Sequence, residues 1–134
     1  MNAEELMLGD YVSYDNSVYK VLSVDKVQDV NIYNDTDGYH YRPASEMAPI
    51  PLTPEVLEKN GFPFNEVETN SDIQDVYSHY TKFYDFPLGK GFYIEYDTVD
   101  NIFYITDHWW VRFKYVHEFQ HILRLCNIDK EIIL

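Results

Sequence analysis

The sequence predicts an α+β fold, in which an antiparallel β-meander leads through a short helix to an antiparallel sheet covered by a C-terminal helix. Three patterns indicate this fold: short segments of alternating apolar and polar residues, a well-capped helix start at Thr53, and apolar residues at helical spacing after position 115. At 134 residues, we expect a single compact domain. Two lobes are the open alternative: a β-barrel-like lobe over 1–48, a linker and helix over 49–62, and a sheet with its helix over 63–134.

The N-terminal part predicts four short strands, near 11–14, 18–24, 27–33 and 39–42. Asp15 and Asn16 supply a tight turn after the first strand, and Asp37 and Gly38 supply another before the fourth. Because short turns join successive strands, this part predicts either a meander or a small SH3-like β-barrel.

The linking helix has clear start and stop signals. Prolines in the segment 43–52 indicate an extended connector. Thr53 is a typical N-cap, and Pro54 has a φ angle preset for the first helical turn. Gly61 suits the left-handed position that follows a helix, so we predict that the helix ends just before it.

The second half predicts strands near 77–86, 92–97, 102–107 and 109–115. Alternation in the last strand places Val111 and Phe113 on the core face. Arg112 and Lys114 then face away. Since only one of two neighbouring tryptophans can face the core, Trp110 is the candidate interface anchor.

The final helix carries the letters H-E-x-x-H at His117, Glu118 and His121, which is a zinc-peptidase signature when it lies on a helix. In that alternative, His117 and His121 are metal ligands, and Glu118 is the general base of a zinc-dependent hydrolase. Downstream of His121 only Asp129 and Glu131 remain as possible third ligands, and His79 or His108 could supply one from the sheet.

Helical periodicity argues against this zinc site. The apolar residues of the helix share one face: Tyr115, Val116, Phe119, Ile122, Leu123, Leu125 and Cys126. His117 and His121 fall on the opposite face, which we expect to meet water and not to line a cleft. Arg124 adds a permanent cation that would repel a metal ion. We therefore predict no metal, no cofactor and no catalytic residue.

Charge and composition narrow the possible partners. The chain has 10 Lys and Arg against 23 Asp and Glu, a net charge of −13, which disfavours direct binding to nucleic acid. Its 46% hydrophobic content predicts a folded core. Neither a signal peptide nor a transmembrane segment is indicated, so we expect no membrane partner and a cytoplasmic location.

Three stretches resemble a family of small uncharacterised proteins from gut anaerobes and their phages. They are 8–12 (LGDYV), 49–55 (PIPLTPE, followed by Leu57 and Gly61-Phe62) and 115–120 (YVHEFQ). The resemblance covers nearly the whole chain. In that family the late motif is similar to Val-His-x-Leu-Gln followed by a residue other than His, so His121 is a feature of this chain. The resemblance implies fold boundaries and carries no activity, cofactor or catalytic residue.

The function that the sequence favours is a non-enzymatic module that binds another protein or its own copy, because no nucleophile or phosphate-binding loop is indicated. Zinc-dependent hydrolysis is one alternative. The other is an acidic DNA mimic that occupies a DNA-binding protein. The mimic would need these acids on one surface: Asp25, Asp29, Asp35, Asp37, Asp97, Asp100 and Asp107.

Overall fold

The computed structural model describes residues 1–65, 81–86, 93–106 and 108–134, with the backbone alone for 108–110. The strands in these ranges are β1 (Tyr11–Tyr14), β2 (Ser17–Val24), β3 (Asp29–Asn34), β4 (Gly38–Pro43), β5 (Thr81–Asp85), β6 (Tyr93–Asp97), β7 (Ile102–Ile105) and β8 (His108–Phe113). The helices are α1 (Pro54–Lys59) and α2 (Val116–Leu125), with short 3-10 helices at Ala3–Glu5 and Ala44–Glu46. The strands form two antiparallel sheets, ordered β1-β2-β3-β4 and β5-β6-β7-β8. The predicted α+β fold is confirmed.

The first sheet is an open meander with the predicted turns. Asp15 (φ 48°) and Asn16 (φ 61°) both have positive φ between β1 and β2, as a tight two-residue hairpin requires. The meander is therefore confirmed, and closure into an SH3-like barrel stays a prediction. The inner face of this sheet contributes to a buried core formed by Ala3, Leu6, Val12, Tyr19, Val21, Val30, Ile32, Ala44 and Met47.

Helix α1 begins and ends where the sequence predicts. The Thr53 hydroxyl accepts a hydrogen bond from the Val56 N–H at 3.3 Å, and Pro54 occupies the first turn. Gly61 follows the helix with φ 82°, in the left-handed region that favours glycine.

The buried side chain of Asn60 joins the end of α1 to the segment after α2. Its amide nitrogen donates to the Ile133 carbonyl at 2.8 Å, and its oxygen accepts from the Ile133 N–H at 2.7 Å. The same nitrogen donates to the Val56 carbonyl at 2.7 Å. Next to this pair of hydrogen bonds, the side chain of Ile132 is buried. Residues after α2 are therefore held by specific contacts.

Strand β8 has the predicted alternation. Phe113 is buried and Val111 is half-buried, whereas Arg112 and Lys114 are exposed. The core face assigned to Phe113 from the sequence is confirmed. Of the predicted strands, residues 77–80, 92 and 107 lie outside the described part of the chain.

Helix α2 buries Val116, Phe119 and Leu123, as its periodicity predicts. Leu125 is 86% exposed, so its assignment to the apolar face was wrong. The apolar face is narrower than predicted, because Leu125 lies about 200° around the helix from the buried Leu123.

The chain divides into two compact units. The first comprises residues 1–51 and 115–121, and the second comprises 52–114 and 122–134. Among the described residues, no helix is both long enough and apolar enough to cross a membrane.

Replacing Gly61 with alanine should lower the free energy of unfolding by about 1–2 kcal/mol, because a Cβ is disfavoured at left-handed φ. Gly38→Ala is the matched control, since Gly38 has φ 74° but open space around a built Cβ. At Gly61 the Cβ would lie 2.9 Å from Lys130 Nζ, the end of a flexible and exposed side chain that can move away, so the two variants should lose similar amounts. Urea unfolding measures both losses. Unchanged stability of Gly61→Ala would contradict the left-handed cap, and a larger loss at Gly61 that Lys130→Ala restores would show that the lysine cannot move away.

Truncating Phe113 to alanine should cost about 3–5 kcal/mol, because the change leaves a cavity where a buried ring was. Arg112→Ala, one residue earlier on the exposed face, should cost a few tenths of a kcal/mol. Thermal unfolding compares the two variants. A stable Phe113→Ala beside an unfolded Arg112→Ala would mean that the register of β8 is shifted by one residue.

Candidate functional site

The first unit contains a cavity of about 390 Å³, lined by Glu5, Pro49, Tyr115, His117, Glu118 and His121. His117, Glu118 and His121 of the H-E-x-x-H sequence therefore all line one cavity. The expectation that His117 and His121 would not line a cleft was wrong. The cavity lies in the lower part of the range of about 300–1,000 Å³ typical of small-molecule sites.

The start of α2 forms one wall of this cavity. The Val116 N–H donates to the Ile50 carbonyl at 2.9 Å, and Tyr115 forms a β-bridge with Pro51. Glu118 reaches back over the first turn, where its Oε1 accepts from the Tyr115 N–H at 3.1 Å. This is the half of a capping box in which the third helical residue satisfies the cap N–H. One oxygen of Glu118 thus has a structural role.

His121 is held by a buried carboxylate. Its Nε2 lies 2.7 Å from Asp10 Oδ2, and Asp10 has no exposed surface. The same carboxylate oxygen accepts from the Met7 N–H at 2.7 Å. Because a carboxylate only accepts, Nε2 of His121 is the donor, and in the neutral ring the lone pair lies on Nδ1.

Gln120 explains why the polar face of α2 is covered. Its oxygen accepts from the Tyr11 N–H at 3.0 Å, and its amide nitrogen donates to the Gly9 carbonyl at 3.1 Å. Gln120 is buried, and so is His117, at 4% exposure. The prediction that this face meets water was therefore wrong for His117 and Gln120, although Arg124 is exposed as predicted. At Gln120, the backbone of Gly9 and Tyr11 supplies the hydrogen bonds that water would have made.

His117, a residue of the cavity wall, has a buried polar atom without a partner in the part of the chain that the structure describes. Its Nδ1 is shielded from solvent and has no hydrogen-bond partner among the described residues. Its ring lies 6.0 Å from that of Tyr115 at an interplanar angle of 11°, and 5.8 Å from that of His121 at 78°. Burial lowers the pKa of His117 below its ordinary value, and this outweighs the opposing pull of the Glu118 and Asp10 carboxylates. We infer that the ring is neutral at pH 7.

The arrangement gives little support to a zinc centre. Within the described ranges, no group of three or more His, Cys, Asp or Glu side chains is placed to hold one metal ion. Nε2 of His121 is bonded to Asp10, and Glu118 caps the helix. His79 and the side chain of His108 lie outside the described residues. Absence of zinc from the protein stays a prediction.

A second feature, which the sequence analysis missed, is an exposed surface on the outer side of the first sheet. We call Tyr33, Tyr39 and Tyr41 the tyrosine face. Tyr39 is 71% exposed and Tyr41 is 58% exposed, and the rings of Tyr33 and Tyr39 lie 4.6 Å apart across paired strands. The tyrosines alternate with Ile32 and His40 along β3 and β4, and this alternation was the signal that could have revealed the surface.

Two hydroxyls of the tyrosine face are anchored by acids. The Tyr33 hydroxyl donates to Asp35 at 2.9 Å, and the Tyr41 hydroxyl donates to Asp25. The carboxylate of Asp35 raises the pKa of Tyr33, chiefly through this hydrogen bond. The anchored rings have fewer rotamers to lose when a partner covers them.

Trp110 lies in β8, but its side chain lies outside the described residues, so its role as an interface anchor stays a prediction.

No protein-family model matches the sequence, and neither the curated proteins nor the solved structures show a significant match. The resemblance to small proteins of gut anaerobes and their phages therefore stays a proposal.

Stability should fall as the pH drops below about 6.5, because unfolded His117 then gains a proton that the folded ring accepts only at lower pH. The stabilisation is complete above the unfolded pKa and is lost as the pH falls towards the lower folded pKa. His117→Gln removes this contribution. Urea midpoints between pH 5 and pH 8 should therefore change less with pH in the variant. Parallel curves for the two proteins would show that His117 is not the group responsible.

Proposed function

We propose that the chain is a non-enzymatic binding module, and that the tyrosine face contacts another protein. The exposure of Tyr39 and Tyr41 carries the proposal. Tyrosine is enriched at protein interfaces, because a large ring with few rotamers buries apolar area while its hydroxyl keeps a polar contact. The hydrogen bonds from Tyr33 to Asp35 and from Tyr41 to Asp25 hold these rings in place. Less side-chain entropy is therefore lost when a partner binds.

The position of β4 also favours a protein partner. Within the described strands, β4 lies at the edge of the first sheet and pairs with β3. An edge strand presents backbone N–H and C=O groups that an extended segment of another chain can pair with. Such a segment would lie beside Tyr39 and Tyr41, so backbone pairing and side-chain contact would reinforce each other.

The net charge of the chain indicates what kind of protein its partner is. The chain carries a net charge of −13, and Asp25 and Asp35 accept hydrogen bonds from the tyrosine face itself. A partner with a basic contact surface would associate faster and more selectively with such a face than a neutral or acidic one. We therefore propose a basic protein as the partner, with a second copy of this acidic chain as the less favoured alternative.

The contacts of the acids favour this proposal over DNA mimicry. Asp25 Oδ1 accepts from the backbone N–H groups of Val27 and Asp29, each at 3.0 Å. In the second unit, Asp97 accepts in the same way from the backbone N–H groups of Val99 and Asp100. These two acids stabilise turns, which accounts for their presence without a DNA-like surface. Asp107 lies outside the described residues.

The proposal includes three finer expectations from the sequence. They are SH3-like closure of the first sheet, a cytoplasmic location, and a relationship to small proteins of gut anaerobes and their phages.

The double variant Tyr39→Ala/Tyr41→Ala should lose binding to the partner by roughly 30-fold or more, since truncating an interface anchor costs about 2 kcal/mol or more. Val99→Ser is the matched control, because Val99 is 64% exposed in the other unit. The partner is isolated with the wild-type chain, purified, and titrated against all three proteins by calorimetry. Equal affinities for the wild type and the tyrosine variant would contradict the proposal.

Sedimentation of the chain alone tests the second-copy alternative. Self-association that disappears in the tyrosine variant would show that the tyrosine face binds a second copy of the chain and not a basic partner.

A further inference from the structure

We propose that the cavity beside the start of α2 binds a guanidinium group, such as the head of an arginine side chain. This inference does not depend on the tyrosine face. It rests on the groups that line the cavity, all of which lie in the first unit.

The polar lining consists mainly of hydrogen-bond acceptors. Glu5 and Glu118 contribute carboxylates. His121 uses Nε2 to donate to Asp10, so its remaining nitrogen, Nδ1, is an acceptor in the neutral ring. A ligand that matches this lining needs several N–H donors and a positive charge. A guanidinium group has five such donors and pairs well with carboxylates.

His117 provides the independent indication of a ligand. It lines the cavity at 4% exposure, and its Nδ1 has no partner among the described residues. Buried polar groups without partners are rare and often mark a functional site. Burial lowers the pKa of this ring, so it does not add a positive charge that would repel a cation. The ionisable groups that act on it are Glu118, Asp10, His121 and Glu5.

The shape of the lining favours an organic cation over a metal ion. A metal ion must draw its ligands to within about 2–2.5 Å of one point. No group of three suitable side chains among the described residues is so placed. A guanidinium is larger and planar, so it can bridge acceptors that stand further apart. Tyr115 adds an aromatic ring to the wall, and arginine stacks favourably on such rings.

Binding of Nα-acetyl-arginine methylamide, followed by chemical-shift changes in two-dimensional NMR spectra, tests the proposal. We expect saturable shifts at Tyr115, His117 and Glu118, with a dissociation constant of about 1 mM or tighter. The citrulline analogue has the same shape without the charge and should bind roughly tenfold more weakly or not at all. No saturable shifts up to about 20 mM, or equal binding of citrulline, would overturn the proposal.

The matched variants are Glu5→Gln and Glu4→Gln. They remove the same charge from neighbouring residues of one 3-10 helix, but only Glu5 lines the cavity. Glu5→Gln should weaken arginine binding roughly tenfold, and Glu4→Gln should leave it within about twofold. Equal effects would show general attraction of cations to an acidic chain and would overturn the site.

Two further ligands test which cation the site prefers and whether that cation belongs to a protein side chain or to a free small molecule. The lysine analogue should bind more weakly than the arginine analogue, and tighter binding would overturn the choice of guanidinium. Propylguanidine carries the same head group and the same charge without a peptide backbone. Tighter binding of propylguanidine would assign the site to a free small molecule, and tighter binding of the arginine amide would assign it to a side chain of a protein. Both results support a guanidinium site.

Discussion

The first unit depends on the carboxylate of Asp10, a charged group with no exposed surface. Burying a carboxylate is costly unless hydrogen bonds replace its hydration. Asp10 receives them from the Met7 N–H and from His121, while its backbone bonds to the Met7 carbonyl and the Val21 N–H. One residue thus connects the turn before β1, strand β2 and helix α2. Loss of the bond from the Met7 N–H or from His121 would remove a hydrogen bond from this buried carboxylate.

This constraint accounts for the meeting of three distant sequence stretches. Gln120 and His121 of α2 bond to the segment that contains Gly9 and Asp10, and the first residue of α2 bonds to Ile50. Each stretch supplies hydrogen bonds that the others need. The cavity lies where they meet, so its shape follows from structural bonds.

Local signals predicted more of the fold than of the candidate site. The cap at Thr53, the left-handed Gly61 and the alternation around Phe113 are determined by neighbouring residues, and all three were predicted correctly. The surroundings of His117 were not predicted correctly. Helical periodicity shows which residues share a face, but it cannot show what covers that face. The partner of His121 is 111 residues earlier in the sequence, at Asp10. No local pattern encodes such a pairing.

Two hydrogen bonds join the Asn60 side chain to the Ile133 backbone. They couple the local opening of the C-terminal segment to that of the end of α1. The Asn60 side chain also bonds to the last turn of α1, so releasing the tail exposes polar groups of the helix end as well. In hydrogen exchange, the Ile133 amide and the amides at the end of α1 should therefore behave as one cooperative unit, with a shared opening free energy. A segment without regular secondary structure would then exchange as slowly as the helix end to which it is bonded.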